Sequence, residues 1–310
     1  MILDYIKLWT VYRLSYFSSF LVRLTRVGAI RSLVIDLLFR PYLGWRTLHV
    51  IGKTNFGLRM YLELPDSIQT SIFLTGEWEP AVSKIIANSL SSGDTFIDVG
   101  ANIGWHTLLA SNIVGQTGKV YSIEASPSIY RKLKNNIELN GIRNSILINV
   151  AVSNKPGSVS IWTAPEGNLG HSTIVEEIAI LDGHHLEAEI PCDLLSSLIS
   201  LPDLLSARMI KIDIEGAERL AIEGVLPLLN QFTEKTEWLV ELSPGFTSNG
   251  SIDADWIFRR FVDSGYSAYQ IKNEYGPLAR RHEMEPQMLR KISDCPVEKL
   301  CDLLFSKSIY

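Results

Sequence analysis

The chain has little cysteine, little charge and no long apolar run. Its three cysteines, Cys192, Cys295 and Cys301, are an odd number and form no CxxC pair. That excludes a disulfide framework and a cysteine zinc cluster, so a reduced, cytoplasmic compartment is the expectation. Charged residues make up 20% of the 310 and hydrophobic residues 46%, a balance that excludes disorder and low-complexity fibre. A bilayer-spanning helix needs ~20 mostly apolar residues. The longest uncharged stretch near the start, Leu14–Val22, has only nine residues, three of them serine. Asp4 and Arg13 also break the order of basic, apolar and small-residue regions that a signal peptide requires. Internal repeats are absent.

A net charge of −5 argues against a nucleic-acid partner, but the charge is unevenly spread. Residues 1–50 hold seven basic side chains (Lys7, Arg13, Arg23, Arg26, Arg31, Arg40, Arg46) against Asp4 and Asp36, a balance of +5 that leaves −10 for the remainder. Residues 1–45 read as a basic amphipathic helical segment closed by Pro41 and Gly44. Leu3, Tyr5, Ile6, Trp9, Tyr12, Phe17, Phe20, Leu21 and Leu24 form its apolar face, and Arg13, Arg23 and Arg26 a basic one. The expectation is that the apolar face packs on the rest of the chain or on a second subunit as a homodimer. Peripheral contact with a membrane, arginines on headgroups and aromatics in the acyl boundary, is the alternative.

From residue 46 the period changes. Thr47–Ile51 and Leu58–Leu64 read as a β-hairpin, and Glu79–Leu90 as a helix. Strands then alternate with helices: Thr95–Val99, Trp105–Val114, Lys119–Ile123, Ser128–Leu139, Ile146–Val152, Val159–Thr163, Arg208–Ile212, Glu218–Leu229, Glu237–Leu242, Asp253–Ser264, Tyr266–Ile271 and Leu303–Ser306. This predicts an α/β domain over 46–310, with a hairpin prelude at 46–75 and a core at 76–310 around a mostly parallel sheet. The long connection Asn154–Leu201 is a candidate for substrate binding.

Asp98-Val99-Gly100-Ala101-Asn102-Ile103-Gly104 ends the first core strand and opens a helix, where open α/β sheets bind ligands. The dinucleotide pattern GxGxxG fails at Asn102 and Trp105, which disfavours an NAD-linked or nucleotide-sugar enzyme. An acidic residue just before the turn suits a cofactor with a cationic end, and S-adenosylmethionine has an ammonium and a sulfonium. Asp98 would hold its methionyl part, Gly100, Asn102 and Gly104 would line its trough, and Glu124 would accept its ribose hydroxyls.

The same residues resemble the FkbM family of S-adenosylmethionine-dependent methyltransferases. The resemblance runs from about 46 to 307 and extends through Ala151-Val152-Ser153 and Gly157. Its most specific string is Lys211-Ile212-Asp213-Ile214-Glu215-Gly216-Ala217-Glu218. Gly76-Glu77-Trp78-Glu79-Pro80 is similar to the family's lead-in, and Glu241 falls where a strand-end glutamate is expected. The resemblance implies a class I Rossmann-like methyltransferase fold that usually methylates hydroxyl oxygens of sugars or natural products, with Glu79 and Ala151 also at the cofactor. Ala125-Ser126-Pro127 departs from the family, which places proline directly after the glutamate; the expectation is a slightly looser turn at Glu124.

An aliphatic hydroxyl needs a base or a metal to attack the methyl group. Lys211 and Asp213 share one strand face by the period of two, as does Glu215 if the strand continues. Asp213 would take the proton, Glu215 would orient the acceptor or a metal, and Lys211 would neutralise Asp213 or Glu241. Glu218 fits the first turn of the next helix, and His171 in the long connection is a second candidate base. His184-His185, with Asp182 and Glu187, has metal-ligand chemistry but no recognised spacing and reads as surface loop. The resulting expectation is O-methylation of a saccharide, glycan or glycosylated natural product, with no nucleic-acid partner. A binding or scaffold protein is the rival from another class.

Overall fold

The computed structural model describes residues 2–24, 33–34, 36–37, 47–164, 172–242, 250–272, 289–296 and 300–308. The chain divides into two compact units, one of residues up to Pro80 and one beginning at Ala81. The boundary expected at 45/46 falls inside the first unit, which joins the N-terminal helix to the hairpin.

In the first unit, α1 (Ile2–Leu24) precedes a hairpin of β1 (Leu48–Lys53) and β2 (Arg59–Leu64). A helix at Ser67–Thr75 follows, which sequence periodicity did not reveal. Its signals lie at the ends: Asp66 accepts from the Gln69 amide at 3.0 Å, and Gly76 ends the helix at φ 78°. The described part of α1 packs mainly by another face than the one expected, of which Tyr12 and Leu21 are half-buried. Val11, Ser15, Ser18, Ser19 and Val22 are buried, whereas Tyr16, Phe17, Phe20 and Leu24 are exposed. Serines on the inner face permit close approach, and polar groups complete the contact. Ser19 Oγ donates to the Phe73 carbonyl at 2.6 Å. Arg23, expected on an outer basic face, donates instead to the carbonyls of Lys53, Ile72 and Phe73, two of them in the last turn of Ser67–Thr75, where a cation opposes the helix dipole. Tyr12 and Tyr16 hydroxyls donate to the His49 and Ile51 carbonyls of β1, satisfying an edge strand.

The second unit is built on an eight-stranded sheet. Its strands are β3 (Thr95–Val99), β4 (Lys119–Ile123), β5 (Ser145–Ile148), β9 (Met209–Ile212), β10 (Glu237–Leu242), β11 (Ser267–Ile271), β12 (Leu289–Ile292) and β13 (Cys301–Ser306). The order is β12-β11-β13-β10-β9-β3-β4-β5. From β10 to β5 all neighbours are parallel, and β13 enters antiparallel to both β10 and β11. Parallel strands buried on both faces read as continuous apolar runs, as Met209-Ile210-Lys211-Ile212 does apart from its lysine. One side of the core closes around Trp238, Phe261 and Phe305, the last two stacked at 4.2 Å between centroids.

A separate three-stranded sheet orders β6 (Ala151–Val152), β8 (His185–Asp193) and β7 (Gly157–Thr163). Two expectations change here. The strand expected at Ile146–Val152 splits, since β5 belongs to the main sheet and β6 to the small one. The supposed surface loop at His184-His185 leads directly into β8, which pairs antiparallel with β7. Register across a long connection is set by the partner strand and has no local signature. The helix expected over Glu218–Leu229 stops at Val225 and continues as a 3-10 segment, Leu226–Gln231. Pro227 cannot donate within an α-helix.

Candidate active site

In the sheet the strand order reverses between β3 and β9, and ligands bind at such a switch point beyond the carboxyl ends of the strands. Asp98 of β3 and Lys211 of β9 are register partners there. The chain leaves β3 through a tight turn in which the amides of Gly100 and Ala101 both donate to the Ile123 carbonyl, at 2.9 and 3.0 Å. Gly100 has φ 82°, and a Cβ on it would lie 1.7 Å from the Asp213 carbonyl oxygen. Only glycine fits. Gly104, at φ 96°, begins the helix Trp105–Val114, and a Cβ there would meet Leu133 at 2.7 Å. Gly100 is thus required by packing against backbone and Gly104 by its left-handed conformation, reasons independent of any cofactor trough. Asn102 takes φ 50° without glycine, its Oδ1 accepting from the Ile103 amide at 2.7 Å, a local bond that helps asparagine tolerate this conformation.

Asp98 has no exposed surface. Its Oδ2 accepts from Thr107 Oγ1 at 2.7 Å, and Thr107 lies 3.0 Å from Ser122 Oγ. Its Oδ1 has no hydrogen-bond partner among the described residues. Burial pushes the carboxyl up to about 6, against the opposing pull of Lys211 and Thr107. His106, on the same helix as Thr107, is held well below the usual histidine range by burial and by Lys211, so its imidazole is neutral.

Glu124, just beyond β4, ties two turns together. Its Oε2 accepts from the Asn102 amide and its Oε1 from the Ser126 amide, each at 2.9 Å. Each oxygen keeps a further lone pair. Burial raises this carboxyl to about 7 despite those two bonds. Ser126, part of the departure from the family pattern, closes this turn onto Glu124 through its amide. Its Oγ also caps the helix Pro127–Leu139, accepting from the Ile129 amide.

Beyond β9 the extended run ends sooner than the parity argument required. Lys211 Nζ donates to Asp213 Oδ2 at 2.7 Å, so the expected neutralisation of Asp213 is present. Asp213 still reaches solvent through 23% of its side chain, and its amide donates to the Val99 carbonyl at 3.0 Å. Then Glu215 at φ 51° and Gly216 at φ 94° turn the backbone, so Glu215 does not continue the face of Lys211 and Asp213. Glu218, in the first turn of Glu218–Val225, folds back to accept from the Ile214 and Gly216 amides. Its carboxyl is raised to about 7 by burial.

Ala151 lies in β6 among Ile161, Ile190 and Cys192. Glu79 belongs to the first unit and is buried, with φ 42° just before the helix Pro80–Ser89. His171 lies outside the described residues. Sequence reading missed three contributors that act across long separations. Thr107 holds Asp98. Thr173 donates to the Glu215 carbonyl at 2.8 Å. Glu187 of β8 accepts from Ser126 Oγ at 2.6 Å, from the Ser128 amide at 2.8 Å and from Thr163 Oγ1. Burial pushes Glu187 up, but these bonds outweigh it and hold the carboxyl low. Only the serine-proline step at 126–127 hinted at the cap that Glu187 completes.

The family model described as "Methyltransferase FkbM domain" matches residues 98–261. Over 86 residues the chain is 36% identical to an uncharacterized protein, YpiP, of Bacillus subtilis (strain 168), covering 26% of this chain and 32% of that one. The chain thus spans about a third of that relative's length. Among solved structures, an S-adenosylmethionine-dependent O-methyltransferase of Thermotoga maritima is 13% identical, with 86% of each chain covered and a TM-score of 0.44. Fibrillarin of Aeropyrum pernix with natively bound S-adenosylmethionine is 15% identical over 84% of each chain, at a TM-score of 0.40. With its family model covering more than half of the sequence, from the glycine turn through the strands on both sides of the switch point, this chain belongs to the family of the methyltransferase FkbM domain.

Proposed function

We propose that the chain methylates a hydroxyl group, of a saccharide, a glycan or a glycosylated natural product. The observation that carries this reading is the pairing of two carboxylates at the switch point, Asp98 sealed beneath the glycine turn and Asp213 at its exposed margin. S-adenosylmethionine supplies an electrophilic methyl group on a sulfonium. Its fit is supported by the buried, unpartnered Oδ1 of Asp98, which suits a cationic amine, and by the lone pairs left on Glu124, which suit two ribose hydroxyls. The sugar class rests on the FkbM resemblance.

In this reading Asp98, Gly100, Asn102, Gly104 and Glu124 form the cofactor side, with Ala151 and Glu79 assigned to its border by the family pattern alone. Asp213 would take the acceptor's proton as the carbon–oxygen bond forms and the methyl–sulfur bond breaks, the sulfur leaving as a neutral thioether. Lys211, held on Asp213 Oδ2 at 2.7 Å, fixes the direction of that carboxylate. Glu215, turned aside by its backbone, orients the acceptor, and His171 is the second candidate base. Positioning dominates the work, because in-line transfer demands close alignment of oxygen and methyl.

The test is methyl uptake from labelled S-adenosylmethionine across a panel of sugars and glycans, run beside direct cofactor titration. Asp98→Ala abolishes cofactor binding, whereas Asp213→Asn retains binding and loses turnover. Normal turnover by Asp213→Asn removes the base assignment. Label found on nitrogen, or on RNA, removes the acceptor assignment.

A further inference from the structure

Among the described residues no helix is long and apolar enough to cross a membrane, yet α1 carries a surface that water does not favour. Phe17 is 51% exposed, Phe20 58% and Leu24 65%. At spacings of three and four they fall on one helix face, and exposed Tyr16 and Arg13 flank them. The opposite face, Val11, Ser15, Ser18, Ser19 and Val22, is already occupied within the first unit. The small side chains have been placed inward and the large apolar ones outward, the reverse of an ordinary surface helix. A contiguous apolar strip left outside in this way marks an interaction surface.

Charge selects the occupant. Residues 1–50 carry a balance of +5, and although Arg23 is turned onto backbone carbonyls, Arg13 is exposed beside the strip, so a second copy is repelled and an anionic surface attracted. Phenylalanines beside a tyrosine and an arginine are also the composition that settles at the boundary between headgroups and acyl chains. We propose that α1 docks this protein on an anionic lipid surface, with Phe17, Phe20 and Leu24 entering the acyl boundary and Arg13 meeting the headgroups. This assignment is independent of which hydroxyl the enzyme methylates.

The experiment is co-sedimentation of the full chain with vesicles of phosphatidylcholine alone or mixed equally with phosphatidylglycerol. The protein is expected to pellet with the mixed vesicles, less with phosphatidylcholine alone, and to be released by added salt. The double variant F17S/F20S should lower the partition coefficient by about tenfold or more. Its melting temperature and cofactor binding should stay as in the wild type, since both positions are exposed. Wild-type protein that stays in the supernatant with mixed vesicles overturns the proposal, as does a double variant that pellets unchanged. A dimer in sedimentation equilibrium that F17S/F20S converts to monomer also overturns it, by assigning the strip to a second copy.

Discussion

The helix Pro127–Leu139 buries Ile129, Leu133 and Ile137 and turns Arg131, Lys134 and Glu138 to solvent. Helix α1 buries Ser15, Ser18 and Ser19 and exposes Phe17, Phe20 and Leu24. Both are amphipathic in sequence, and only one obeys the usual direction. The difference lies in what each helix packs against. The first turns its apolar side chains into the protein interior, Leu133 against the turn at Gly104, where area removed from water sets the orientation. The second meets backbone carbonyls of β1 and of Ser67–Thr75, which demand hydroxyl and guanidinium donors. Apolar periodicity identifies a face; the partner decides which face is inside.

Several substitutions break or sharpen that contrast. The largest effect belongs to the site itself: Gly100→Ala drives a methyl group into the Asp213 carbonyl and should cost on the order of 3 kcal/mol, read as a collapse of the thermal midpoint. On α1, Ser18→Phe should destabilise by about 1–3 kcal/mol through overpacking, although it makes the helix more apolar. An unchanged midpoint for Ser18→Phe would show that the inner face is not serine-lined.

Thr107→Val leaves buried Asp98 Oδ2 without its donor, a loss of about 1–2 kcal/mol. The expected result is a dissociation constant for S-adenosylmethionine raised roughly tenfold, with Thr107→Ser restoring it. A rise in the acceptor's KM alone would place Thr107 elsewhere. The pH profile supplies a further check. Asp98, Glu124 and Glu218 have carboxyls raised to about 6, 7 and 7, so the folded protein retains protons that the unfolded chain has released. Their contribution to stability is present below the ordinary carboxylate range and is lost as pH rises through about 6 to 7. The melting temperature of the free protein should fall across that window while cofactor affinity rises, because the ionised carboxylates attract the cofactor's ammonium and ribose hydroxyls. The smallest effect is Phe17→Ser, expected within about 0.5 kcal/mol of the wild type; a large loss would mean that the strip is packed in the free protein.

Much of the site could be read locally. A strand, a positive-φ glycine and a helix occupy contiguous residues at Asp98–Trp105, so the turn was visible before any packing was known. The pairing of Lys211 with Asp213 followed from the period of two. Glu215 did not follow, because its left-handed backbone is imposed by the return of Glu218 onto the loop amides and by Thr173. Nothing local to residue 187 announces a carboxylate that caps a helix some sixty residues earlier in the chain.

The sequence by itself determined the alternating strands and helices, the glycine turn and its acidic neighbours, and the uneven charge between the first fifty residues and the rest. These depend on interactions within a few residues, which composition and spacing encode directly. The tertiary structure alone decided which face of α1 turns inward, where the strand near Asn149 divides between two sheets, and which hydroxyl holds Asp98. Each of those depends on a partner distant in the chain, and only the folded backbone brings donor and acceptor within bonding distance.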